Sequence, residues 1–319
     1  MNRPSIVIAV LLSILLSLAA GLNIGVNEID RALIASLGAL FALLVPFFLF
    51  GLSDFLRGSL ARPASLALVL VALALPCLIY FAGTSEYRLT SLVGLVAFMS
   101  VPTALVLLAR RRPAPALGDV LAVAAIWLPF DFRLLDGIWS WPEGRASYGL
   151  SVVLAVDLAL VLFVAYRATP GVGYRFRLGL RDSAIVLGCF LVFSALAIPL
   201  GLAIEFIEYI ARPFDLLGIL GSFVAILIFI AVPEELLFRG LIQNFLERMW
   251  KRDLLALVVA AVIFGAAHLN NGDVPNWSYA LMATLAGLFY GLAYRWTGAI
   301  FASALVHALV NTVWRAFFR

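Results

Sequence analysis

The sequence predicts an all-α, polytopic transmembrane helix bundle of about eleven spans, and three observations predict it. Of 319 residues, 64% are hydrophobic and only 13% are charged, and the mean hydropathy of +1.09 lies outside the range of soluble globular domains. The apolar residues are gathered into long runs, and a run of ~20 is what an α-helix needs to cross ~30 Å of hydrocarbon. The runs are continuous rather than alternating, which selects helices over barrel strands, the two structures that satisfy their own backbone in lipid.

The first run covers 4–24. Arg3, an apolar stretch over 6–18 and then Ala19-Ala20-Gly21 follow the order of a secretory signal, but apolar character continues to Val26 without a polar segment, so the run reads as an uncleaved first span. Runs over 32–53, 64–84 and 90–109 have the length of ordinary spans. The fifth, 117–131, is the shortest and reads as interfacial or broken, because Trp127, Pro129, Asp131, Arg133 and Asp136 crowd its end. The sixth, 149–167, carries Asp157, an isolated intramembrane charge expected to hydrogen-bond within the bundle. A polar interval rich in Gly and Arg, 168–182, then divides an amino-terminal transmembrane region, 1–180, to which no role attaches, from a second region, 183–319. The second region holds runs at 183–204, 217–233, 254–270, 277–296 and 299–317.

The net charge of +4 comes from arginine, Lys251 being the only lysine, and the cations are spread over short loops. That distribution speaks for topology rather than nucleic-acid binding. Arg57 and Arg62, Arg110 to Arg112, Arg167 with Arg175, Arg177 and Arg181, and Arg248 with Lys251 and Arg252 fall in every second loop. The alternate loops carry Glu28, Asp30, Glu86, Asp136, Glu143, Glu205 and Asp215. The positive-inside rule therefore places the amino terminus in the cytoplasm. The arginine-rich, lysine-poor composition points to a prokaryotic inner (plasma) membrane, with the bilayer and a peptide or membrane-protein substrate as partners and the oligomeric state left open. Eleven spans would put the carboxyl terminus outside, against which Arg315 and Arg319 argue. Cys77 and Cys189, far apart in apolar runs, read as small core residues.

The candidate chemistry lies in the second region. His268 and His307 are the only histidines, and a Glu234-Glu235 pair precedes them. Each ionisable side chain at bilayer depth costs ~2.5–3.5 kcal/mol on insertion scales, which makes it a functional-site hypothesis by default. In helical geometry Glu235 and Arg239 stand four apart, acid before base, the favourable order for an ion pair. Glu234 is turned by about 100° and left without that partner, so it is the carboxylate placed to accept and return a proton. Phe264 and His268 share a helix face, as do His307 and Asn311, with Ser303 one turn earlier. Ala283, Gly287 and Gly291 form a small-residue stripe that lets helices approach.

The ordered strings Glu-Glu-xxx-Arg, Phe-xxx-His and His-xxx-Asn on apolar helices resemble the CAAX protease and bacteriocin-processing family of intramembrane endopeptidases, which includes the type II CAAX prenyl endopeptidases. The resemblance covers 183–319. It implies that Glu234, assisted by His268, activates the attacking water and that His307 and Asn311 stabilise the oxyanion. Glu235, Arg239 and Phe264 would support them. The favoured reading has no cofactor. A zinc-dependent version would use Glu234, His268 and His307 as ligands, although the chain lacks HExxH, the string that sets two histidine ligands on one helix face. Buried Glu, His and Arg also occur in transporters and channels, for which the halves should show an internal repeat; none is evident. A non-catalytic scaffold would be marked by altered motifs, and these are intact.

Overall fold

A computed structural model describes all residues except 1–2, 25–28, 61, 86, 140, 142–144 and 273; Val26, Glu28, Glu86 and Glu143 of the sequence reading lie outside the described residues. Among those described, eleven helical rods appear where eleven apolar runs are expected. They are α1 (Arg3–Ile24), α2 (Arg31–Leu52), α3 (Pro63–Thr84), α4 (Leu89–Ala109), α5 (Leu117–Asp131) and α6 (Arg145–Ala159, continued in wider π turns over Leu160–Tyr166), followed by α7 (Leu180–Ala203), α8 (Leu216–Trp250), α9 (Asp253–Ala266), α10 (Trp277–Thr297) and α11 (Ile300–Phe317). Eight of these, α1 to α4, α6 to α8 and α11, are long and apolar enough to cross a membrane. The protein is thus a multi-pass integral membrane protein. At 15 and 14 residues, α5 and α9 fall short of the length a span needs.

The chain forms two compact units, Met1–Pro170 and Gly171–Arg319, dividing inside the polar interval 168–182. In the first unit α2 packs against α1, α3 and α6, and α4 against α5. Trp139 is buried there, its ring stacked on Phe81 at 5.4 Å and its indole N–H donating to Ser151 at 2.7 Å. Arg167, which the sequence places among the loop cations, is neutralised. Its guanidinium grips Asp119, Nε to Oδ1 at 2.8 Å and Nη2 to Oδ2 at 2.5 Å. Asp157 is fully buried, and neither carboxylate oxygen has a hydrogen-bond partner among the described residues, contrary to the expected bundle hydrogen bond. Cys77 and Cys189 are free and buried, as small core residues should be.

In the second unit α10 packs against α7, α9 and α11. The apolar run read from the sequence ends at residue 233, where a proline can kink a helix. The helix instead runs through as one 35-residue rod, about 50 Å at 1.5 Å per residue. Wider π turns on both sides of Pro233, Leu227–Ala231 and Leu236–Gln243, carry it past the proline. Glu234 and Glu235 thereby fall at mid-rod. The next boundary moves the other way, since α9 ends at Ala266 and His268 sits in the turn beyond it.

The small residues do bring helices together. A Cβ on Gly265 would come 2.5 Å from the Ala280 carbonyl, and one on Gly287 would come 3.1 Å from Ala261 and 3.2 Å from Arg239. Gly298, at φ +65°, makes the tight α10–α11 turn. The carboxyl-terminal arginines also find an explanation. Arg319 is ion-paired with Glu208 at 2.5 Å, and Arg212 donates to the Arg315 carbonyl at 3.1 Å. The end of α11 therefore lies beside the 205–215 loop, whose acid neutralises Arg319.

Candidate active site

Glu235 is the structural centre of the site. It sits fully buried on α8, and its Oε1 accepts from Arg239 Nη1 at 3.0 Å and from His307 Nδ1 at 2.9 Å. The Ser303 hydroxyl lies between Glu235 Oε2 and the Tyr290 carbonyl and can donate to either. Arg239, with no solvent exposure, is held by its second amino group on the Gly287 carbonyl at 3.0 Å and by the Phe264 ring 4.6 Å beneath its guanidinium carbon. A buried ion pair needs partners for its polar atoms; here the polar contacts come from α8, α10 and α11 and the ring from α9, while Arg239 Nε has no hydrogen-bond partner among the described residues. The glycine at 287 leaves room on both sides, since a side chain there would crowd Ala261 as well as the guanidinium.

His307, also buried, is set by two neighbours. A carboxylate oxygen only accepts, so the hydrogen bond to Glu235 puts a proton on Nδ1. Asn311 Nδ2 approaches the other nitrogen, Nε2, at 3.1 Å and donates to it. The plane of the imidazole is fixed by stacking on Tyr290 at 4.7 Å and 14°. Glu234 points elsewhere than its neighbour. Its side chain is 28% exposed, its Oε2 stands 3.9 Å from His307 Nε2, and that oxygen is buried without a hydrogen-bond partner.

His268 is linked to His307 through a shared aromatic neighbour. Phe264 lies 4.6 Å from the His268 ring and 5.9 Å from the His307 ring. A backbone carbonyl accepts only, so the 2.7 Å contact of His268 Nδ1 with the Phe264 carbonyl places a proton on Nδ1 and turns Nε2 away from that bond. Tyr279 stacks on the ring at 5.1 Å and 19°. It is anchored in the first turn of α10, where Asn276 caps the helix by accepting from the Tyr279 N–H at 2.9 Å. Trp314 and Phe206 pack behind it.

All seven residues singled out from the sequence therefore lie in one unit. Glu235, Arg239, His307 and Asn311 form one hydrogen-bonded chain with Phe264 against it, Glu234 approaches its end, and His268 is joined through Phe264. Tyr279, Tyr290 and the role of Ser303 were not read from the sequence. The available signal was the stripe at 283, 287 and 291, whose helix face also carries Tyr290 and, one turn earlier, Tyr279.

Among the described residues no group of three or more His, Cys, Asp or Glu side chains is arranged to hold a metal ion. Both nitrogens of His307 are engaged, leaving it no lone pair to offer. The zinc donor set as arranged does not fit.

Residues 216–313 match the family model described as type II CAAX prenyl endopeptidase, Rce1-like. This segment is similar to that family. It spans α8 to α11 and contains every residue of the site, in agreement with the resemblance carried by the three motifs. The uncharacterized protein YpbD of Bacillus subtilis (strain 168) is 32% identical over 84 residues, which is 26% of this chain and 39% of that protein. The chain thus matches about two fifths of the length of this curated relative. No solved structure matches. The Rce1-like segment begins at α8, so the unit Met1–Pro170 lies wholly outside it.

Proposed function

We propose that the protein is an intramembrane endopeptidase that hydrolyses a peptide bond by glutamate-activated water without a metal. The observation that carries the reading is the unequal treatment of adjacent carboxylates. Glu235 is bound by Arg239, His307 and Ser303, while Glu234 keeps a free oxygen facing the His307–Asn311 pair.

In this reading Glu234 takes a proton from a water held also by the free Nε2 of His268, and the water oxygen attacks the scissile carbonyl carbon. The carbonyl π bond opens to an oxyanion, which receives a hydrogen bond from the Asn311 amide. His307 stands beside Asn311 as the second member of the proposed oxyanion hole, its Nδ1 held by Glu235. Preorganised donors of this kind are worth ~2.7–4 kcal/mol each in a water-poor site. As the intermediate collapses, the C–N bond breaks and Glu234 returns its proton to the leaving amine. The family match supports CAAX-type proteolysis. Whether the substrate is prenylated, a bacteriocin precursor or another membrane protein is a separate question of substrate. The topology we propose is a cytoplasmic amino terminus in a prokaryotic inner membrane.

The test compares protein termini in membranes of cells carrying wild type or Glu234→Gln. New termini that appear only with wild type support proteolysis; identical profiles, with both proteins folded at equal abundance, contradict it. A purified preparation should retain cleavage after exhaustive chelation, and loss restored by zinc would reinstate the metal reading.

A further inference from the structure

One end of the unit Gly171–Arg319 carries cations that the protein does not consume. The Tyr294 hydroxyl donates to the Gly171 carbonyl, the Ile300 N–H to the Gly173 carbonyl at 2.9 Å, and Arg175 Nη2 to the Thr297 carbonyl at 2.6 Å. Arg295 pairs with Asp253 at 3.5 Å. These bonds gather the segment 171–181, the α8–α9 turn and the α10–α11 turn at a single end. Its three acids are already engaged: Asp253 by Arg295, Asp182 by Arg175 at 3.8 Å, and Glu247 by the Gln243 amide at 2.9 Å. Arg177, Arg181, Arg248, Lys251 and Arg252 are exposed and make no ion pair among the described residues.

Large apolar side chains stand exposed among these five cations. Leu180, 93% exposed, sits between Arg177 and Arg181, Met249 and Trp250 follow Arg248, Leu254 stands two residues after Arg252, and Trp296 adjoins Arg295. An acidic soluble partner would account for the cations but not for isolated leucine and tryptophan side chains standing beside them. A phospholipid headgroup layer accounts for both, because tryptophan rings settle at the interface and guanidinium groups bind phosphate oxygens.

We propose that this collar binds the headgroup phosphates of anionic phospholipids in the leaflet at that end, making the seating of this unit selective for anionic over zwitterionic lipid. The proposal does not depend on the proteolytic reading, and its readout is lipid binding rather than cleavage.

The full chain in detergent is titrated with phosphatidylglycerol or phosphatidylcholine, and bound lipid is counted by native mass spectrometry. Wild type is expected to bind phosphatidylglycerol more tightly, with a preference that shrinks as salt rises. Removing two cations in Arg177→Gln/Arg181→Gln should weaken phosphatidylglycerol binding by roughly tenfold or more, at about fivefold per cation, and leave phosphatidylcholine binding unchanged. Arg177→Lys/Arg181→Lys should retain most of the preference, which controls for folding. Because the arginines of the first unit are untouched, the difference between variants isolates this collar. Equal affinity of wild type for the two lipids, an unchanged affinity in the glutamine variant, or displacement of the lipid by equimolar inorganic phosphate would overturn the proposal.

Discussion

His307 Nδ1 lies 2.9 Å from Glu235 Oε1, so an imidazole on the last helix is held by the same carboxylate oxygen that binds Arg239 one turn along α8. The bond fixes the histidine tautomer and leaves the adjacent glutamate outside the network. Glu235 is accordingly a structural and positioning group whose removal strands a buried guanidinium.

Glu235→Gln is expected to destabilise the protein by ~3–5 kcal/mol, the usual consequence of removing one member of a buried ion pair. Thermal unfolding of the purified protein in detergent measures it. Replacing Glu235 and Arg239 together by apolar residues of similar size should cost less than the single change, and an additive result would mean the pair is not coupled.

Asn311→Ala removes the amide proposed for the oxyanion. Its expected effect is a ~10²–10³-fold fall in kcat with KM much less affected, because the interaction belongs to the transition state. A change confined to KM would assign Asn311 to ground-state binding.

His268→Ala should abolish cleavage, and Tyr279 should act through His268. Tyr279→Phe keeps the stacked ring and should keep most activity, whereas Tyr279→Leu frees the imidazole and should lower kcat by about tenfold or more, since small misplacements of a reacting group are costly. Equal activity of the leucine and phenylalanine variants would remove Tyr279 from the positioning of His268.

Gly265→Ala drives a methyl group against the Ala280 carbonyl and the Thr284 side chain. An overpacked contact of this kind costs ~1–3 kcal/mol, so a lowered unfolding midpoint is expected, with cleavage falling because α9 carries Phe264 and leads to His268. An unchanged midpoint would show that α9 and α10 can separate freely.

The parts of the site legible in the sequence are those fixed by local periodicity. The pairings Glu235–Arg239, Phe264–His268 and His307–Asn311 are each four residues apart, and each is a contact in the structure. Their spacing also set Glu234 apart from Glu235. Contacts between helices were not legible. Nothing local to Tyr290 announces that its ring stacks on His307, 17 positions on, or that its carbonyl receives Ser303. The boundary at 233 follows the end of the apolar run, where two glutamates begin, whereas the rod continues through π turns on both sides of Pro233. The segment from Ala267 to His268 is apolar enough to read as helix, but its backbone has already turned. In the first unit the helices were legible from hydropathy, whereas the grip of Arg167 on Asp119 joins residues 48 apart and left no pattern in the sequence.

The most direct measurement is the cleavage rate of Glu234→Gln beside wild type, purified, reconstituted and acting on a substrate identified from the membrane comparison. With its partly exposed side chain and no ion pair to Arg239, Glu234 can be changed with little effect on stability, ~0.5 kcal/mol or less. The account predicts an unaltered unfolding midpoint and a rate at least ~10²–10⁴-fold lower, the range a general base contributes. A folded Glu234→Gln enzyme that cleaves at the wild-type rate would contradict it.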